Sequence, residues 1–132
     1  PSLNVTLSLQ FKTERVPMLI LSLVVNILVL VPLCFALLTG SAAMDAAYGP
    51  VSAARSILTA VYLAILVMSI VCLAILGLKD VQTAVAWALP LLFVQIIYKS
   101  LTGPMVGLSH PVVQANLAIV ALHVVTVFKL IK

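Results

Sequence analysis

From Val51 to Leu78 the only charged side chain is Arg55. Three further stretches, 16–39, 81–101 and 112–131, are comparably apolar. Each exceeds the roughly 18 residues that mark a transmembrane helix, and at about 1.5 Å per residue each crosses a hydrocarbon core of roughly 30 Å. The stretch 51–78 would reach about 42 Å as helix, so it must tilt or project into the headgroups. Only 8% of residues are charged and 64% are hydrophobic, whereas soluble domains carry about 25% charged residues. The chain is therefore expected to be an all-α integral membrane protein.

The links are short: 40–50, Lys79-Asp80 and 102–111. Short links make sequential helices antiparallel, which gives an up-down-up-down four-helix bundle over 16–132. Lys12, Arg15, Lys79, Lys129 and Lys132 fall on one side, against Arg55 and Lys99 on the other. The positive-inside rule then puts both termini in the cytoplasm and the chain in the cytoplasmic (inner) membrane. Pro1 fits removal of an initiator Met, and residues 1–15 lack an apolar core followed by a small-residue cleavage site. The first apolar helix is thus expected to act as its own insertion signal. A net charge of +4 with no basic run argues against nucleic acid.

Position in a membrane helix is depth. Counting from the cytoplasmic ends puts Asn26, Ser69 and His123 at about 14–15 Å, near mid-bilayer. Tyr62, Gln95 and Asn116 fall at about 21–26 Å, and Arg55, Tyr98, Lys99 and Gln114 further out. Arg55, Thr59, Tyr62 and Ser69 share one face of the second helix; Gln95 and Lys99 share one on the third, Asn116 and His123 one on the fourth. Such stripes avoid lipid and are expected to meet inside the bundle or at a partner.

For Arg55 three roles stay open. It can snorkel with Lys99 to headgroup phosphates, receive an anionic or carbonyl-bearing ligand with Lys99, or pair with Asp45, the one acid at that end. A binding mouth would comprise Arg55, Tyr62, Gln95, Lys99 and Asn116. Asn26, Ser69 and His123 read as interhelical hydrogen-bond partners, each contact being worth about 0.6–2 kcal/mol. Proton-coupled transport would call for an embedded carboxylate, and Glu14, Asp45 and Asp80 all fall in the tail or links.

No metal, cofactor or catalytic constellation emerges. CxxC, CxxCH and HExxH are missing, and His110 and His123 differ in depth by about 18 Å, too far to flank one haem. Met68 shares the depth of His123 but reads as packing. Cys34 and Cys72 differ by about 17 Å in depth, beyond the roughly 7 Å that a disulfide permits, so both are expected free and buried.

In the tail, 1–15, "SLNVTLSLQF" alternates Leu3, Val5, Leu7, Leu9 and Phe11 with polar residues. Period two predicts a strand. With no second strand in the chain, it would be a docking element on a partner's edge or on another copy. The rival is an interfacial helix, which would leave Val5 and Leu9 on its wet side. Asn4-Val5-Thr6 matches a glycosylation acceptor, which means little on a cytoplasmic tail. Pro32 and Pro90 are expected to bend their helices, and small residues in "SAARS" and "TAVAWA" to admit close backbone approach.

The pattern resembles the DoxX-like small four-helix membrane proteins. The resemblance lies in the helix opening "SAARSILTAVYLAI", the basic end "YKSLTG" and the polar-headed fourth helix "SHPVVQANLAI", and covers most of 17–131. It implies a four-helix membrane fold and makes Arg55 the position to watch; some members are described as subunits of quinone-linked oxidoreductases. The leading expectation is a non-catalytic subunit that packs, among membrane lipids, with other membrane subunits or with itself. The alternative is binding or transport of a lipophilic or anionic small molecule, a quinone or lipid, at the mouth. A redox accessory using His123 comes last.

Overall fold

The computed structural model describes residues 2–131, with side chains described outside 5–14. Its elements are α1 (Leu3–Thr39), α2 (Ala42–Tyr48), α3 (Ala53–Leu78), α4 (Val81–Val106) and α5 (Pro111–Ile131). Four of these, with α1 counted over Arg15–Thr39, are long and apolar enough to cross a membrane. This is the make-up of a multi-pass membrane protein.

The strand expected in the tail is not there, because α1 begins at Leu3. A lone strand leaves its backbone N–H and C=O groups without partners, whereas a helix pairs them within its own segment. Leu3 is 73% exposed. The side chains of Val5, Leu7, Leu9 and Phe11 lie outside the described residues. Pro17 and Pro32 are both accommodated within α1.

Caps define the other helix ends. Ser52 Oγ accepts the Arg55 N–H at 3.1 Å to open α3, and Asp80 Oδ1 accepts the Thr83 N–H at 2.7 Å to open α4. With one N-cap directly after the end of α3, the two-residue link becomes a sharp reversal. The fourth element, α4, runs five residues past the expected 101, carrying Pro104, until Gly107 at φ 119 turns the chain. Pro111 then opens α5, where its missing N–H costs nothing.

In space α1 packs on α3, α3 on α4 and α4 on α5, and α5 closes back on α1. The α1–α5 hydrogen bonds pair Ser22 with Thr126 and Asn26 with His123, so rising numbers on one helix meet falling numbers on the other. Two apolar clusters fill the interior. One, around Leu19, Leu23, Cys72, Ala88 and Leu92, lies toward the Lys79-Asp80 link. The other, around Leu30, Cys34, Leu37, Tyr62 and Ile65, carries Met44 and Tyr48 of α2 packed against it.

Ala84 and Ala88 are fully buried, as close approach through "TAVAWA" requires, but Ala53 and Ala54 of "SAARS" are exposed and mediate no packing. Large apolar side chains such as Phe35, Trp87 and Phe128 point outward, 69%, 51% and 61% exposed. Polar inside and apolar outside is the arrangement a hydrocarbon solvent favours.

Candidate functional site

Two polar layers occupy the interior. In the first, His123 is fully buried, its Nδ1 3.1 Å from Ser22 Oγ and its Nε2 3.0 Å from Asn26 Oδ1. Asn26 Nδ2 donates to Ser69 Oγ at 3.1 Å, and Ser69 donates to the Ile65 carbonyl at 2.8 Å. Ser22 and Thr126 hydroxyls lie 2.6 Å apart, and Thr126 also reaches the Leu122 carbonyl. The network joins α1, α3 and α5, and its members use one another as partners. It links these three helices by side-chain hydrogen bonds. Ser22 stands one turn before Asn26 and Thr126 one turn after His123; that spacing was the signal for two members the sequence reading missed.

The second layer lies at the α2 end. Arg55 is 5% exposed, which rules out snorkelling to the surface. Its Nη1 donates to Asp45 Oδ1 at 2.5 Å and to the Gly49 carbonyl at 2.8 Å. Thus the guanidinium pins α2, whose ends are set by Gly40 at φ 69 and Gly49 at φ 82. These backbone conformations suit glycine. Of the three roles open to Arg55, the pairing with Asp45 is present, while its Nη2 is buried without a partner.

Arg55 and Lys99 line different cavities. Arg55 lines a cavity between α1 and α3 with Leu37, Thr59 and Leu63. Lys99 lines a groove of about 450 Å³ between α1 and α5 with Tyr62 and Asn116. Counting depth says nothing of azimuth: Arg55 lies at the gap between α1 and α3 and Lys99 at the gap between α1 and α5. Gln95 is fully buried, donates to the Leu91 carbonyl at 3.3 Å, and leaves its Oε1 without a partner. A second cavity of about 400 Å³ shares Tyr48, Tyr62, Val112 and Asn116 with the groove and adds Tyr98 and Thr102. The Tyr48 and Tyr62 rings meet edge to face there, 6.2 Å between centroids. Burial holds the Tyr48 phenol above its usual pKa. The Tyr98 hydroxyl is buried without a partner.

The charge balance at this end is uneven. Lys99 is 5% exposed, and its Nζ has Asn116 Oδ1 at 3.5 Å and the Tyr98 ring centroid at 5.5 Å. The chain has three acids. Asp45 is taken by Arg55, Asp80 opens α4 about 28 Å away, and Glu14 lies toward the far end of α1. Buried ammonium groups carry a desolvation cost of several kcal/mol unless a counter-charge meets them. Among the described residues, Lys99 has dipoles around it and no carboxylate.

No family model, no characterised protein and no solved structure matches this chain.

Proposed function

We propose that this protein binds a lipophilic molecule bearing an anionic group, with Lys99 as the group that receives the charge. Tyr62 and Asn116 line the same groove, and the aliphatic walls suit a hydrocarbon portion. Kinship with DoxX-like proteins is part of the proposal, as is the absence of catalysis. So is the setting, an up-down-up-down bundle in the cytoplasmic membrane with both termini inside. It is supported by the short links, the Lys and Arg asymmetry and the paired numbering of α1 and α5.

One observation carries the proposal: Lys99 is a buried basic side chain, without an acid beside it among the described residues, on an apolar groove. The packing-subunit alternative rests on low charge, short links and an apolar exterior, features common to four-span bundles, and takes second place. To test the ligand reading, the protein is purified in neutral detergent and its bound organic molecules are extracted and weighed by mass spectrometry. Wild type should carry an anionic amphiphile in stoichiometric amount, Lys99→Met should lose it, and Lys79→Met should keep it. Equal content in all three would overturn the proposal.

A further inference from the structure

The groove that holds Lys99 is built from the side of the bundle. Its walls are Val29, Pro32 and Leu33 on α1 and Ala115 and Ile119 on α5. Val29, Pro32 and Ala115 are exposed, and they lie within the segments long and apolar enough to span a membrane. In a bilayer this rim meets lipid, not water. From Val29 to Ala36 the α1 wall is about 10 Å long. Met44 and Tyr48 of α2 also line the groove, and the Arg55–Asp45 pair holds that short helix. A ligand would therefore reach Lys99 sideways, out of the lipid between α1 and α5.

The chemistry of the ligand follows from the charge and the walls. One ammonium neutralises one negative charge. A phosphate monoester brings about −1.5 to −2 and would leave charge unmatched in an apolar site. A carboxylate brings one, and its oxygens can accept from the Lys99 ammonium. A small water-soluble anion would leave the aliphatic walls uncovered. The volume, about 450 Å³, is toward the low end of the roughly 300–1,000 Å³ seen for small-ligand sites and accommodates one chain. Resting on the ligand-binding reading above, we infer that the occupant is a single-chain carboxylate amphiphile of the fatty-acid class, received from the bilayer through the α1–α5 groove.

The test uses the full chain in phosphatidylcholine nanodiscs and a palmitate carrying a mid-chain diazirine. Photolysis should label 29–36 and 112–119. Unlabelled palmitate should compete about tenfold or more better than the matching alcohol, a difference of about 1.4 kcal/mol. Lys99→Met should cut labelling to a similar degree. So should Ala115→Trp, a wedge at an exposed position that leaves the bundle interior untouched. Labelling outside the groove, full labelling of the wedge variant, equal competition by the alcohol, or stronger competition by phosphatidic acid would each overturn the inference. If the extract of purified protein still holds a Lys99-dependent anion while palmitate fails to label, the route and ligand class fall and the ligand-binding proposal survives. An extract independent of Lys99 removes both.

Discussion

His123 shows how one residue can join three helices. Its two ring nitrogens engage Ser22 and Asn26, and Asn26 passes the chain to Ser69 on α3. Replacing it with Leu leaves Ser22 and Asn26 buried with fewer partners. The expected cost is about 1–2 kcal/mol, measured as reversible unfolding in mixed micelles, since interhelical contacts in membranes are worth about 0.6–2 kcal/mol. Asn26→Ala in the same background should add little, because the two side chains act as one unit; a double-mutant cycle reads that coupling. Asp80 provides a pH handle. Its carboxyl is held below the usual carboxylate range, chiefly by the Thr83 backbone N–H, then by the Thr83 hydroxyl and the nearby Lys79, against a small desolvation effect. A depressed folded pKa means the cap contributes fully above the unfolded value of about 3.9 and loses its contribution as pH falls through the folded value. Thermal unfolding followed from neutral pH to about pH 3 should show a small loss of stability in wild type. Asp80→Asn should flatten that loss while still capping α4.

At the scale of the element, α2 is held from below. Its Asp45 is 53% exposed while the Arg55 side chain is 3% exposed, so the pair is half screened. Asp45→Asn should loosen α2 by about 1–2 kcal/mol, less than the roughly 3–5 kcal/mol of a fully buried broken pair. Faster amide exchange confined to 42–48 would report it, and unchanged exchange would show that packing by Met44 and Tyr48 is sufficient. This short helix was not legible beforehand, because a seven-residue helix flanked by Gly40 and Gly49 looks like a turn. The four long helices were legible, since hydrocarbon demands long apolar runs. Depth was legible too: a constant rise per residue put Asn26, Ser69 and His123 on one level, and the structure joins them. Azimuth was not, which is why Arg55 and Lys99 were grouped although α3 and α4 turn them to different sides. The tail misled because alternation is a pattern, and a strand needs a neighbour that this chain lacks.

At the scale of the whole molecule, everything depends on how the helices thread the bilayer. The proposed four crossings would place α2 and the α4–α5 link together on one face, with the Lys79-Asp80 link and the end of α5 on the other. Under that proposed arrangement Arg55 and Lys99 would share one end and the α1–α5 groove would open sideways to lipid. Cys34 and Cys72 are both buried, so single introduced thiols can be read against a quiet background. The direct measurement is labelling of Ala43→Cys, Lys79→Cys, Leu108→Cys and Ile131→Cys in intact cells with a membrane-impermeant maleimide. Positions 43 and 108 should react from outside, and positions 79 and 131 only after the membrane is opened. If 43 and 108 reacted from opposite sides, or 79 from the same side as 43, the four-crossing account would be contradicted.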